Sequence, residues 1–222
     1  MEALFVNGGP RKGCNTHKML ESAMKGAADA GAEAELVHLY DFAFKGCVSC
    51  FACKVKGSKT NGLCAFKDAL TPTLEKARGA DVIVIGSPVY YSYPTGPTRS
   101  CLERLMFPVD TYLVNETRGE RGRFLKKTIP TAMIYTMNCP DWFMEKAQYP
   151  TLLSINSKEL ERTFGYSEAL YSCDTYQFSD YSRYDVNMFK EEDKARHRDG
   201  PFPKDLQSAR ELGKRLAEMA KN

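Results

Sequence analysis

Four cysteines lie close together in a segment that has no helical or strand periodicity. Cys47, Cys50 and Cys53 are spaced as Cys-x2-Cys-x2-Cys, and Cys64 follows in the same segment. Cubane iron-sulfur clusters use a local run of cysteines with a more distant further thiolate, and tetrahedral zinc also accepts a set of cysteines. The spacing therefore indicates a [4Fe-4S] cluster, a zinc site or a set of metal-free thiols, and all of these stay open.

A second segment with recognisable chemistry is the loop NGGPRKGCNT, which follows the first apolar run of the chain. Gly9 and the glycine before it let the backbone turn tightly and approach a ligand, while the next residue, proline, fixes one φ angle. Arg11 and Lys12 add positive charge, and Asn15 or Thr16 is expected to cap the helix that follows. Backbone N–H groups at a helix N-terminus favour an anion. Because the loop matches neither GxGxxG nor the P-loop, it predicts a site for a mononucleotide phosphate.

A third segment follows the continuous apolar run DVIVIG. Its sequence SPVYYSYPTGPT combines tyrosines with prolines and a glycine, so the chain must turn sharply while it presents flat aromatic surface. A planar ring is a natural ligand for such a surface, although the same tyrosines could merely cover the end of the sheet. The phosphate loop is expected at the same sheet edge, and the two segments together therefore predict a flavin site.

Apolar patterning indicates the elements that must position these segments. It predicts strands over residues 3–7, 33–39, 81–86, 129–136 and 169–174. It predicts helices over residues 16–30, 71–77, 98–107 and 203–220, and one that opens near residue 140 or 141. Strands that alternate with helices in this way predict an α/β fold with a doubly wound, five-stranded parallel sheet. Residues 46–64 are interpreted as an irregular cysteine-rich loop, and residues 176–202 as a surface excursion.

Length and charge limit the classes of protein to which the chain can belong. With 222 residues it is expected to form a single domain over residues 1–222, burying roughly 70% of its unfolded surface. The net charge is +3, with 31 basic and 28 acidic residues and no long block of either sign, so we expect no nucleic-acid partner. No leader-like start and no apolar run of about 18 residues occurs, so we expect a cytoplasmic protein without membrane contact. One basic group is interpreted as a solvated loop rather than a site for the 2′-phosphate of NADPH: Arg118, Arg121, Arg123, Lys126 and Lys127.

These features occur together in one known family. The loop NGGPRKGCNT after the first strand, GSPVYY after the third and the cysteines between them resemble the flavodoxin-like NAD(P)H-dependent FMN reductases, in particular their iron-sulfur flavoprotein branch. The later segment DYSRYDV and the Phe-Pro start of the last helix are also similar to that family. The resemblance implies a sheet in the order 2-1-3-4-5, with FMN at the switch point beside strands one and three.

The resemblance also implies which residues hold FMN. The phosphate would be surrounded by Arg11, Lys12, Asn15 and Thr16, with Gly9 in place of the serine of the family's GSPR, so that one hydroxyl donor is missing. The ribityl chain and the ring would lie along Pro88, Val89, Tyr90 and Tyr91. The polar edge of the ring would face the loop after strand four, Thr136, Met137 and Asn138. The gap before Cys64 is longer than in the compact cysteine motif of the iron-sulfur branch, so the alternatives for the thiols stay open.

The implied activity is that of an FMN-dependent oxidoreductase. Hydride from NAD(P)H would reach the flavin, which would pass electrons to a small acceptor, a redox protein or an iron-sulfur centre; no catalytic acid or base is expected, because the flavin carries the chemistry. One alternative is an iron-sulfur electron carrier fed by a ferredoxin-like donor. Another is a non-enzymatic flavin- or metal-binding redox sensor.

Surplus aromatic residues late in the chain predict self-association. We expect a homodimer or homotetramer, because a flavin at a sheet edge is only partly covered by one chain and a contiguous aromatic surface needs a partner. The residues concerned are Trp142, Phe143, Tyr176, Phe178, Tyr181 and Tyr184. The alternative is that these rings pack back on their own domain.

Overall fold

The structure is a computed structural model that describes residues 1–114, 121–123, 125 and 127–221. The strands are β1 (Glu2–Asn7), β2 (Glu33–His38), β3 (Val82–Tyr90), β4 (Tyr93–Pro94), β5 (Asp110–Val114), β6 (Arg121–Arg123), β7 (Ile129–Thr136) and β8 (Gly165–Ser172). Five of them form a parallel path in the order β2-β1-β3-β7-β8, which confirms the predicted 2-1-3-4-5 arrangement. The short β4 adds an antiparallel partner to β3 that the sequence did not predict, and β5 pairs with β6 in a separate hairpin.

Strand β3 forms the centre of the sheet because its first half is apolar on both faces. Val82 to Ile85 are fully buried, as expected for a parallel strand covered by helices on either side. The strand continues beyond the predicted end at Gly86 and reaches Tyr90. In the register, Asn7 lies beside Gly86 and Pro88 lies beside Thr136, so the ends of three strands meet at one edge.

Helices cover both faces of this sheet. They are α1 (Asn15–Asp29), α2 (Thr71–Gly79), α3 (Gly96–Met106), α4 (Asp141–Lys146), α5 (Tyr149–Phe164), α6 (Glu191–Asp199) and α7 (Pro201–Met219). One apolar core joins α1 and α7 to the sheet, and the other joins α2, α3 and α5 to its opposite face. Among the described residues, no helix combines the length and apolar character needed to span a bilayer.

The main differences from the predicted elements lie in the second half. The helix expected near residue 140 or 141 does begin at Asp141, but it ends at Lys146, and α5 follows after Gln148, whose φ is 55°. Strand β8 begins earlier than predicted, directly where α5 ends at a left-handed Gly165. The surface excursion predicted over residues 176–202 contains α6, and β6 lies within the basic group that was interpreted as a solvated loop. Of the basic group in that loop, Arg118 and Lys126 lie outside the described residues.

Candidate functional site

A cleft of about 200 Å3 opens where β1, β3 and β7 end. Most of the predicted cofactor-binding residues line it: Gly9, Arg11, Asn15, Thr16, Pro88, Val89, Tyr90, Thr136, Met137 and Asn138. The structure also places Pro10, Cys14, Thr175 and Gln177 in its wall. Thr175 and Gln177 follow β8, whose carboxyl end faces the same edge, so the rule that predicted the other loops could have found them. Lys12 and Tyr91 do not line the cleft.

Buried side chains hold the glycine turn after β1 in place. The side-chain oxygen of Asn7 accepts a hydrogen bond from the Gly9 amide at 2.7 Å, and the Gly8 amide donates to the Gly86 carbonyl at 2.8 Å. The Thr95 hydroxyl donates to the Gly8 carbonyl at 2.7 Å. A Cβ atom at Gly8 would lie only 1.7 Å from the hydroxyl oxygen of Thr98, so no other residue fits there without a shift.

The N-terminus of α1 carries no side-chain cap. Cys14 occupies the N-cap position without a capping hydrogen bond, so the prediction that Asn15 or Thr16 caps this helix is wrong. Both side chains have other partners, because Asn15 donates to the Tyr176 carbonyl at 2.8 Å and the hydroxyls of Thr16 and Thr136 lie 2.7 Å apart. The first amides of a helix have no intrahelical partner, and an uncapped end beside a cleft can bind an anion.

Arg11 and Lys12, the two cations of the loop after β1, differ in position. Arg11 lines the cleft and donates to the Gln177 carbonyl at 2.6 Å, which ties the loop after β1 to the segment after β8. Lys12 instead pairs with Asp41 at 2.8 Å on the surface. This hydrogen bond from Lys12 lowers the pKa of the Asp41 carboxyl below its ordinary value. Arg11 is therefore the cation placed to meet a ligand in the cleft.

Strands β3 and β4 form a tight hairpin that is rich in tyrosine. Tyr91 and Ser92, the residues between β3 and β4, both have positive φ, at 47° and 73°. Such turns ordinarily use Asn and Gly, so holding a tyrosine there is unfavourable. Tyr90 lines the cleft, and burial raises the pKa of its hydroxyl although Arg11 opposes the shift. Tyr91 is 100% exposed and leaves the cleft of its own chain.

The loop after β7 brings an unpartnered amide to the cleft. Asn138 lines the cleft, and its side-chain oxygen is buried without a hydrogen-bond partner among the described residues. The carbonyl of Met137 accepts hydrogen bonds from the amide and the hydroxyl of Thr175, at 3.0 and 3.1 Å. A buried acceptor without a donor is unfavourable, so Asn138 lowers the local stability of this wall of the cleft.

The four predicted ligand cysteines line one small apolar cavity. Cys47, Cys50, Cys53 and Cys64 share it with Phe107, among other residues. Burial raises the pKa of the Cys53 thiol, against an opposing effect of Lys54. Residues 46–64 form no helix or strand, and several of them, Ser49, Phe51 and Asn61, have positive φ. In the described part of the chain, no three or more His, Cys, Asp or Glu side chains are arranged to hold a metal ion.

Comparison with known families identifies the chain. A match to the family "NADPH-dependent FMN reductase" covers residues 1–128. The chain belongs to this family. The match includes the glycine turn after β1, the β3 hairpin and the cysteine segment, which are the features on which the resemblance was based.

Two relatives of this chain are named iron-sulfur flavoproteins. One, from Archaeoglobus fulgidus, is 39% identical over 104 residues, covering 47% of this chain and 48% of the relative. The other, from Methanocaldococcus jannaschii, is 30% identical over 104 residues, covering 47% of this chain and 51% of the relative. The chain thus spans about half the length of the curated relatives it matches.

A solved structure shows the same fold over almost the whole chain. The NAD(P)H:quinone oxidoreductase from Methanothermobacter marburgensis aligns with a TM-score of 0.68 and 15% sequence identity, covering 97% of this chain and 98% of that one. At this identity the likeness concerns the fold alone. It agrees with the observed doubly wound arrangement of the sheet and helices.

The cleft fits FMN better than the cysteine cavity fits a cluster. An uncapped helix end and Arg11 suit a phosphate, and Pro88, Val89 and Tyr90 line the same cleft, where a flat ring would lie. The thiols supply the donor type that iron and zinc prefer, but the described side chains do not form a ligand group. The function proposed below therefore uses the cleft and includes no step through a metal centre.

Proposed function

We propose that FMN binds in the cleft at the ends of β1, β3 and β7. The phosphate takes the amides at the N-terminus of α1 and the charge of Arg11, while the ring lies along Pro88, Val89 and Tyr90. The observation that carries the proposal is the uncapped N-terminus of α1, which opens on the same cleft as Arg11, Pro88 and Tyr90. FMN carries an anion at one end and a flat ring at the other, so one ligand suits both the helix end with Arg11 and the end of β3.

In this proposal the residues of the cleft hold FMN, which would supply hydride and electron transfer from NAD(P)H to a small acceptor or a redox protein. The chain's own residues bind and orient the ring. The contact between the hydroxyls of Thr16 and Thr136 fixes the start of α1 to the end of β7, and the Arg11 contact with Gln177 fixes the opposite wall. We assign no catalytic acid or base, in keeping with chemistry carried by the flavin.

The proposal is tested by comparing FMN with riboflavin, which lacks the phosphate. We expect protein freed of flavin to bind FMN much more tightly than riboflavin in a fluorescence titration, because only FMN engages α1 and Arg11. Anaerobic NADH or NADPH should then bleach the bound flavin. Equal affinity for the two flavins would contradict the phosphate site, and bound FMN that neither nicotinamide reduces would contradict the reductase activity.

A second candidate function is electron transfer with a ferredoxin-like donor. It is favoured by the four thiols that line one cavity and by the names of the relatives. This candidate would require the four thiols to hold a metal, for which the described side chains form no ligand group. Flavin bleaching by a reduced ferredoxin, but not by NAD(P)H, would select this candidate. A protein that binds flavin but shows no turnover with any donor supplied would instead be a redox sensor.

We also propose that the working unit is a homo-oligomer. The rings of Tyr176 and Phe178 pack on Tyr181, with centroids 5.1 Å apart in each pair, so part of the predicted aromatic surface packs on its own chain. Trp142 and Phe143 remain exposed in α4, the helix that follows the Asn138 loop. A partner that covers them would also approach the cleft.

A further inference from the structure

Lys194 is a buried cation behind the wall of the cleft. It lies in α6, whose sequence EEDKARHRD is almost entirely charged, yet the residue is only 1% exposed. Its ammonium nitrogen donates to the main-chain carbonyl of Asn138 and to the carboxylate of Asp174, and lies 4.4 Å from the centroid of the Phe189 ring. Burying a lysine is unfavourable unless it is paired, so these contacts determine its position.

One of these contacts completes the hydrogen bonding of three successive main-chain carbonyls in the loop after β7. The Met137 carbonyl accepts from Thr175, and the Cys139 carbonyl accepts from the Asp174 amide at 2.8 Å. The carbonyl between them, that of Asn138, accepts from Lys194. The carbonyls of Met137, Asn138 and Cys139 are thus all bound by groups of α6 or of the segment that follows β8. The Asn138 side chain, in contrast, lines the cleft.

We propose that Lys194 is a positioning residue that also raises the reduction potential of bound FMN. This inference rests on the proposed function, since it requires the ring to lie against the Asn138 loop. Reduction adds negative charge to the flavin, and a cation in a poorly solvated position near the ring favours the reduced form. The carboxylate of Asp174 acts in the opposite direction, because it partly neutralises the same ammonium.

The pair allows two substitutions with opposite expected effects. Lys194→Met removes the charge but keeps an unbranched side chain of similar length. Asp174→Asn removes the opposing charge and suits the backbone, because residue 174 has a φ of 52° and asparagine tolerates the left-handed region. Lys190→Met is the matched control, since Lys190 is exposed and immediately precedes α6.

The measurement is the midpoint potential of bound FMN, obtained by anaerobic dithionite titration against a reference dye, together with the affinity for oxidised FMN. For Lys194→Met we expect the affinity for reduced relative to oxidised FMN to fall about tenfold, which is a decrease of about 30 mV for a two-electron couple. Asp174→Asn should raise the potential, and Lys190→Met should leave it unchanged. A purely structural role of Lys194 would alter stability and affinity without these opposite shifts.

The outcomes distinguish a failure of the inference about Lys194 from a failure of the proposed FMN site. If Lys194→Met binds FMN at an unchanged potential, the inference about Lys194 is overturned while the FMN site stands. If that variant fails to fold or to bind FMN, Asp174→Asn decides, and a potential that does not rise overturns the inference. If the unaltered protein binds no FMN, the proposed function itself fails, and this inference fails with it.

Discussion

The side-chain amide of Asn7 joins His38 to the glycine turn of the cleft. Its oxygen accepts from the Gly9 amide at 2.7 Å, and its nitrogen lies 3.1 Å from Nδ1 of His38. Because the oxygen is already an acceptor, the nitrogen must donate, and Nδ1 of His38 must be free of a proton. The charge state of a histidine at the end of β2 is therefore coupled to the geometry of the proposed phosphate site.

This coupling predicts a loss of stability in mild acid. Burial lowers the pKa of His38 from 6.5, and the neighbouring His17, whose ring is stacked 5.0 Å away, and Lys12 lower it further, while Asp41 and Glu21 oppose them. The folded protein then binds fewer protons than the unfolded chain below about pH 6.5, so the free energy of unfolding falls as the pH falls from there towards the lowered pKa of His38.

The measurement is urea unfolding at a series of pH values between neutral and mildly acidic conditions. Carboxylates contribute to the same profile, so His38→Gln serves as the reference: it can keep a hydrogen bond to Asn7 but cannot take up a proton. We expect a steeper loss of stability in the unaltered protein than in His38→Gln. Parallel profiles would show that His38 titrates alike in the folded and unfolded chains.

A second prediction concerns the cation of the phosphate site. Arg11→Ala should weaken FMN binding by roughly tenfold or more, because a charged hydrogen-bond donor is lost, and it should change riboflavin binding much less. Lys12→Ala is the matched control, since Lys12 pairs with Asp41 outside the cleft and its loss should alter FMN affinity little. Fluorescence titrations with both flavins provide the comparison. Equal effects of the two substitutions would argue against the distinct roles assigned here.

A third prediction uses the cysteine segment. If Cys47, Cys50, Cys53 and Cys64 form one ligand set, changing any one of them to Ser should remove most of the bound iron or zinc while FMN stays bound. The measurement is metal analysis and absorption spectroscopy of anaerobically purified protein. Cys101→Ala serves as a control for handling, because Cys101 is buried in the apolar core on α3 and does not line that cavity. If the unaltered protein contains no stoichiometric metal, the ligand-set hypothesis fails and the thiols of the segment are metal-free.

The sequence predicted the part of the site that depends on local signals. The turn at Gly9 and a sharp turn after the third strand were predicted because glycine, proline and a buried strand mark loops at the carboxyl edge of a parallel sheet, although the pairing of β3 with β4 was not. The helix containing Lys194 was not found, because EEDKARHRD has no apolar periodicity. Its burial depends on Asn138 and Asp174, which are far away in the sequence, and long-range contacts of this kind leave no local pattern.

A fourth prediction tests the packing of α7 against α1, the helix whose N-terminus borders the cleft. Helices α1 and α7 approach so closely that a Cβ atom at Gly213 would lie 1.9 Å from the Ala23 carbonyl oxygen. Gly213→Ala must therefore separate the helices, and we expect it to lower the free energy of unfolding by about 1–3 kcal/mol. At Gly79, the last residue of α2, an added Cβ would meet only the end of the Glu2 side chain at 4.0 Å, so Gly79→Ala should be neutral or slightly stabilising. Urea unfolding of both variants measures the difference, and equal stabilities would refute the tight contact.

The last prediction concerns self-association through α4. Trp142 is 65% exposed and Phe143 is 40% exposed, and their ring centroids are 5.8 Å apart, so they form a continuous apolar surface beside the Asn138 loop. Soluble proteins usually cover such a surface with a partner, most often by two-fold symmetry. Light scattering at low micromolar concentration should give a mass above the 25.0 kDa of one chain, and the double substitution Trp142→Ala and Phe143→Ala should shift it towards the monomer. Ile155→Ala removes an exposed apolar side chain from α5 and should leave the mass unchanged. An unaltered protein that is monomeric, binds FMN and turns over would contradict the homo-oligomer, because one chain would then suffice to cover the flavin.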